Sequence, residues 1–212
     1  MLIKTHVSKT VFQENTYILV KNNEVIIIDP GDSMENILPE IDPAHKLVAI
    51  LATHGHLDHI SSVVPLKHRY SCPFIMNSRD QELLDNHQNS CSMFQQEYYG
   101  TPQIDIDIAD KNEFEIGNFN IKILHTPGHT KGGVCYLIDE KLFSGDTLFY
   151  RSIGHVNQYD GNPETLIHSI KTKLYALPND TIVYPGHMGI SMIGEEKKFN
   201  PYVNLLEGKN NG

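Results

Sequence analysis

The sequence predicts a compact α/β domain of two packed β-sheets with helices on the outside. Three observations carry that expectation. Apolar runs of strand length recur in two similar successive halves, helical stretches stand between and after them, and no Gly/Ser-rich linker or short-period repeat divides the 212 residues. A domain commonly takes about 100–200 residues, so a single domain over 1–212 is expected.

Element by element, residues 16–20 (TYILV) and 25–28 (VIII) are β-rich runs around a polar turn, Lys21-Asn22-Asn23-Glu24. Asp29-Pro30-Gly31 stops the second run. Ser33 is placed to cap a short helix that Asp42-Pro43 ends. Residues 47–52 form another apolar strand, which runs directly into Thr53-His54-Gly55-His56-Leu57-Asp58-His59. That segment is expected as a loop at a strand's C-terminal end, where open α/β folds bind ligands. A helix over 61–70, a strand over 73–76 and a helix over 79–87 follow. Residues 89–110 give no clear pattern. The second set of strands spans 119–124, 134–138 and 141–143, the last two as a hairpin around Asp139-Glu140. A helix over 163–176 opens on a proline at a favoured early position. A strand over 181–184 and a helix over 195–206 close the chain.

The bulk composition narrows the function classes. With 40% hydrophobic and 20% charged residues the chain has a globular composition rather than a disordered one. Lys and Arg number 17 against 26 Asp and Glu, a formal charge of −9, which argues against a nucleic-acid partner. No apolar run approaches the ~20 residues of a membrane helix, so no membrane partner is expected. The N-terminus lacks an apolar h-region. Cys72, Cys91 and Cys135 are odd in number and widely spaced, which fits reduced, mostly buried thiols. Together these point to a cytoplasmic protein. Oligomeric state is left open.

The chemistry concentrates in His54-x-His56-x-Asp58-His59. Three imidazoles and a carboxylate within six residues are hard to explain as packing, and this donor set suits zinc, iron or manganese. Three later strands each end on a further metal-competent group. His129 lies in Thr-Pro-Gly-His-Thr, Asp146 in Ser-Gly-Asp-Thr, and His187 in Tyr-Pro-Gly-His.

With these motifs the sequence resembles the metallo-β-lactamase fold superfamily, and most closely its single-domain glyoxalase II-like hydrolases. The resemblance rests on ThrHisGlyHisLeuAspHis at 53–59, LeuHisThrProGlyHisThr at 124–130, SerGlyAspThrLeuPhe at 144–149, ProGlyHis at 185–187 and IleIleAspProGly at 27–31. It implies an αββα sandwich of two mixed sheets flanked by helices. It also implies two divalent metal ions, Zn2+ foremost with Fe or Mn acceptable. His54, His56 and His129 would bind one ion, Asp58, His59 and His187 the other, and Asp146 would bridge them. Asp29 would support the histidine segment from behind. Asp58 and Asp146 are the implied catalytic carboxylates, and the implied reaction is thioester hydrolysis of S-acylglutathione-type small molecules. His155, Tyr150 and Arg151 are the substrate-binding candidates. The family places Lys or Arg after Gly154, where this chain has His155, and Gly189 stands where two-domain members carry Tyr. Only 11 residues follow Pro201, so the glutathione-binding helical extension of those members is not expected.

Two other classes share the scaffold. A persulfide dioxygenase would use one iron and molecular oxygen on overlapping ligands, and a non-catalytic module would bind metal without turnover. A β-lactamase role is disfavoured by the missing secretion signal. A tRNA-processing nuclease is disfavoured by the acidic charge and the lack of an arm-like insertion.

Overall fold

A computed structural model describes residues 1–156 and 161–204. The first sheet contains β1 (Leu2–Val7), β2 (Asn15–Lys21), β3 (Glu24–Ile28), β4 (Lys46–Leu51), β5 (Phe74–Met76) and β6 (Ile106–Asp107), paired in that order. Its first two pairings are antiparallel and the next three parallel. The second sheet uses β7 (Glu113–Ile116), β8 (Phe119–His125), β9 (Val134–Ile138) and β10 (Lys141–Gly145). A short ribbon of β11 (Leu148–Phe149) and β12 (Ser152–Ile153) intervenes before β13 (Ile182–Pro185) and β14 (Ser191–Met192) complete the sheet. The order is β14-β13-β10-β9-β8-β7, with β10 and β13 parallel and every other pair antiparallel.

Side-chain alternation explains the layering. Tyr17, Leu19, Ile26, Ile28 and Leu51 of the first sheet pack against Phe119, Ile121, Ile123, Tyr136 and Phe143 of the second. The intervening Ile18, Val25, Ile27 and Ile50 point the other way. They meet α1 (Met34–Ile37), α3 (Val63–Tyr70) and α4 (Gln81–Asp85) through Ile37, Val63, Leu66 and Leu84. On the outer side of the second sheet, Cys135, Leu142 and Val183 meet α6 (Pro163–Ser169), α7 (Ile193–Phe199) and α8 (Pro201–Asn204). Strands buried on both faces read as unbroken apolar runs, and the order of layers is helix, sheet, sheet, helix.

Several elements differ from the sequence expectation. The segment over 53–59 is not wholly a loop: Leu57–Ile60 form α2, with His56 at its N-cap position. Ser33 occupies the N-cap of α1, but its hydroxyl makes no capping bond, and Asp32 accepts from Ser33 N at 2.7 Å and from Asn36 Nδ2 at 3.0 Å instead. The predicted helix over 79–87 breaks at Asn86, after which α5 (His87–Met93) begins. The helix at 163 is capped by Asn162, whose side chain accepts from Thr165 N, and runs into a wider turn over Ile170–Leu174. The last helix is interrupted at Asn200, and its predicted end, residues 205 and 206, lies outside the described residues. Cys72, Cys91 and Cys135 are free and buried, and burial pushes the Cys72 and Cys135 thiols up to about 11. Among the described residues, no helix is long and apolar enough to cross a membrane.

Candidate metal centre

Four strand ends meet where the two sheets share an edge. After β4 the chain delivers His54, His56, Asp58 and His59; after β8, His129; after β10, Asp146; after β13, His187. A register shift between Phe143 and Gly145 in the β10–β13 pairing turns the chain there. Gly145 takes φ +47°, and a Cβ on it would run into the Thr53 side chain, so this approach of the two halves calls for glycine.

All seven predicted ligands come together. His129 Nε2 lies 2.9 Å from His56 Nδ1 and 3.2 Å from His54 Nε2. Asp146 Oδ1 is 3.3 Å from His59 Nε2, while its Oδ2 is 3.5 Å from both His129 Nε2 and His187 Nε2. Asp58 Oδ2 is 3.3 Å from His187 Nε2 and 3.8 Å from His59 Nε2. Asp146 thus stands between a three-histidine group and an Asp58–His59–His187 group. In each candidate group the ligand atoms lie within 4.8 Å of one another.

Hydrogen bonding behind the cluster fixes which nitrogens face inward. His129 Nδ1 bonds the His155 carbonyl at 2.7 Å and His187 Nδ1 bonds the Phe12 carbonyl at 3.1 Å. A carbonyl only accepts, so both Nδ1 atoms carry the proton and both Nε2 lone pairs point into the cluster. Thr53 Oγ1 donates to Asp29 Oδ2 at 2.7 Å and so accepts from His54 Nδ1 at 3.0 Å, which gives His54 the same orientation. Two lone pairs then face each other across 3.2 Å, an arrangement that repels unless a cation lies between them. His59 Nε2 and Asp146 Oδ1 are buried, 3.3 Å apart, and not aligned for a hydrogen bond. They aim at a common point rather than at each other. The residues present therefore fit metal ions.

Electrostatics agree. Burial works against charge on His59, but the carboxylates of Asp146, Asp29 and Asp58 outweigh it and raise its pKa well above the ordinary value. Burial also opposes charge on His187, yet its pairing with Asp146 and Asp58 lifts it to about 9. Asp146 is held well below the carboxylate range because His59 and His187 overcome the effect of burial. His54 is pushed down by burial and by the neighbouring imidazoles. The Asp58–His59–His187 side of the centre thus favours positive charge, and the His54 side offers neutral donors.

Behind the ligands, Asp29 accepts from Thr53 N at 2.7 Å and approaches His59 Nδ1 at 3.0 Å. Sequence reasoning missed four contributors. Asp80 is buried and accepts from Gly55 N at 3.1 Å, Thr130 Oγ1 at 2.8 Å and Gly132 N at 2.5 Å, tying the two histidine-bearing segments together. Glu14 is fully buried beside Asp29 and His59, and burial raises its pKa well above the ordinary value. Asn15 secures the last ligand segment from the first sheet. Its N donates to Gly186 O at 2.7 Å and its Nδ2 to Pro185 O and Met188 O at 2.9 Å each, while Tyr17 Oη donates to Pro185 O at 2.6 Å.

The substrate-binding candidates separate. His155 lines a cleft beside the cluster together with Phe149 and Met188. Tyr150 and Arg151 are not among the residues lining it. Arg151 donates to Glu195 O at 2.9 Å and Glu195 Oε2 at 3.0 Å, and its guanidinium lies 4.4 Å from the Phe199 ring centre. Tyr150 is half exposed beneath that guanidinium, at 5.4 Å.

Two stacked mixed sheets with a convergent His/Asp cluster at one edge define an αββα metal-binding protein. The chain belongs to the metallo-beta-lactamase superfamily, whose family model matches residues 10–187. A hydroxyacylglutathione hydrolase GloC of Haemophilus influenzae is 36% identical over 206 residues, covering 92% of this chain and 95% of that one. The crystal structure of BLEG-1 B3 metallo-beta-lactamase superposes with TM-score 0.89 at 31% identity, over 96% of this chain and 100% of that one. The di-iron-bound form of TTHA1623 gives TM-score 0.83 at 29% identity, over 95% and 100%. In class, the chain is a metal-dependent hydrolase.

Proposed function

We propose that this protein is a dinuclear metal-dependent thioesterase acting on S-acylglutathione-type thioesters. The observation that carries the proposal is the convergence of two donor groups on either side of Asp146. His54, His56 and His129 would hold one divalent cation, Asp58, His59 and His187 a second, and Asp146 would lie between. Mixed imidazole and carboxylate donors suit Zn2+ first and accept Fe or Mn, and the likeness to a di-iron-bound protein supports two ions. Bound there, divalent ions supply Lewis acidity, which acidifies water and polarises a carbonyl.

The chain's own residues supply the rest. Asp58 turns Oδ2 towards His187, which leaves Oδ1 to orient the attacking water and accept its proton. The water oxygen bonds to the acyl carbon, the C–S bond breaks, and the sulfur leaves as a thiolate whose low basicity needs no acid at this site. That economy favours thioesters, and the 36% identity to a hydroxyacylglutathione hydrolase supports the glutathione thiol.

The test combines elemental analysis and a thioester panel on one preparation. Two transition-metal ions per chain and oxygen-independent release of thiol are expected. One iron per chain with thiol-dependent oxygen uptake would replace the proposal by a dioxygenase. The likeness to BLEG-1 gives β-lactam hydrolysis a place in the panel, and turnover of a β-lactam with none of thioester would reject the thioesterase reading.

A further inference from the structure

Glu14 is completely buried, which is rare for a glutamate without a cationic partner. It stands just before β2 and is fixed from both sides: its carbonyl accepts from Ser8 N at 2.7 Å, and the next residue, Asn15, donates to Gly186 O. Gly31 leaves it room, since a Cβ there would run into Glu14 Oε2 and the Asp58 carbonyl. A carboxyl oxygen of Glu14, one of Asp29 and a ring nitrogen of His59 lie within 4.8 Å of one another.

The hydrogen bonds around Thr16 fix the form of this carboxyl. Thr16 Oγ1 has three neighbours: Gly31 N at 3.2 Å, the Asp29 carbonyl at 2.8 Å and Glu14 Oε2 at 3.1 Å. A hydroxyl donates once and accepts twice. Gly31 N–H can only donate to it, and the Asp29 carbonyl can only accept its one proton. The third bond is then made only if Glu14 Oε2 is itself the donor, so Glu14 is a neutral carboxylic acid. Burial, which disfavours the charged form, acts in the same direction.

The neutral acid has one acceptor left, Oε1, which is buried and has no partner among the described residues. His59 Nδ1 is in the same position. Nε2 of that ring faces Asp146 and Asp58 in the centre, so Nδ1 bears the proton. Asp29 Oδ2 lies 3.0 Å from Nδ1 without the alignment of a hydrogen bond, and both Asp29 oxygens already accept from Thr53. One unmatched donor and one unmatched acceptor thus share the same buried space.

We propose that Glu14 is a positioning residue for the second metal site: its Oε2–H anchors on Thr16, and its Oε1 accepts from His59 Nδ1–H, with at most one water between them, so that His59 Nε2 is aimed at the ion. The inference rests on the two-ion reading above and is independent of the substrate.

The test is a stepwise Co2+ titration of the full chain, read by absorption and competed by a chelator, with infrared spectra of the loaded protein at neutral pH. Glu14→Leu offers no acceptor. It is expected to weaken the ion on Asp58, His59 and His187 by about 10–100-fold, while the ion on His54, His56 and His129 stays within about threefold. Glu14→Gln supplies an N–H for Thr16 and a C=O for His59, and is expected to keep the second ion within about threefold of wild type. A carboxylic-acid C=O band in the wild type is expected to vanish in Glu14→Gln. An absent or unaffected band would overturn the proposal even if Glu14→Leu does not fold. Equal weakening of both ions in Glu14→Leu would mark a merely structural residue and overturn it too. So would a Gln variant as defective as the Leu one, which would mean that charge is required. A third ion per chain that Glu14→Gln removes would make Glu14 a ligand, overturning the positioning role and leaving the two-ion reading standing. A wild type that binds one ion, weakened in Glu14→Leu and restored in Glu14→Gln, would remove the two-ion reading and keep Glu14 as the support of His59.

Discussion

Replacing Asp80 by Asn tests whether the metal centre depends on the clamp behind it. The wild-type carboxylate takes Gly55 N and Thr130 Oγ1 on Oδ2 and Gly132 N on Oδ1. An amide has the same shape but a single acceptor atom. If its oxygen replaces Oδ2, the NH2 group faces the Gly132 N–H, donor against donor. If it replaces Oδ1, the Gly55 N–H loses its partner, while the Thr130 hydroxyl can rotate to accept. In either orientation one backbone N–H stays buried and unpaired, a loss of about 2–3 kcal/mol for a bond to a charged acceptor. In a chain of this size that corresponds to a fall in Tm of about 4–12 °C. The centre is affected as well, because Gly55 lies between His54 and His56, and Thr130 follows His129. A partner of this kind typically governs metal affinity by about 10–100-fold. Competition titration against a chromophoric chelator, alongside melts of the metal-free and loaded forms, reads both quantities. Metal affinity within twofold of wild type in a folded Asp80→Asn protein would refute the clamp.

Asp146→Ala is expected to lower bound metal from two ions to one or fewer and to reduce kcat by at least about 10³-fold, measured by elemental analysis and thiol release; unchanged stoichiometry with full activity would reject the bridging position. His155→Lys places a cation in the cleft and is expected to raise kcat/KM on S-lactoylglutathione severalfold, so steady-state kinetics showing no change or a loss would count against glutathione. Asp32 is partly desolvated, but bonds from His6, Lys9 N, Asn36 and Ser33 N outweigh this and hold its carboxyl below the usual range. A depressed carboxylate pKa stabilises the fold above the unfolded value of about 3.9 and loses that contribution as pH falls through the folded value. Asp32→Asn should therefore lower Tm at pH 7, with the gap closing below about pH 4; a gap that stays constant down to pH 2 would contradict the sign.

The sequence discloses whatever is carried by contrast between neighbours. Residues 16–20, 25–28 and 47–52 stand out because strands buried on both faces are apolar throughout. The ligand motifs stand out because few other roles explain His-x-His-x-Asp-His. The elements that escaped notice are edge strands. Strand β1, with only His6 buried, and β7 alternate half-exposed residues that resemble loop. Asp80 and Glu14 were hidden for a different reason. Each lies in an ordinary polar stretch and acquires its role only when β5 and β2 bring it beneath ligands from distant segments. Arg151 shows the converse: a cation adjacent in sequence to the site is drawn off by Glu195, a partner 44 positions away.

The grip of Asn15 and Tyr17 on the 185–188 turn bears on how the protein matures. The last ligand to be synthesised is held by a strand made among the first, so His187 can take its place only after both halves have emerged and docked. A nascent or truncated chain can offer the early histidines to a metal ion, but it has no means of completing the pair of sites. On the two-ion reading proposed above, acquisition of the second ion would then mark a finished polypeptide.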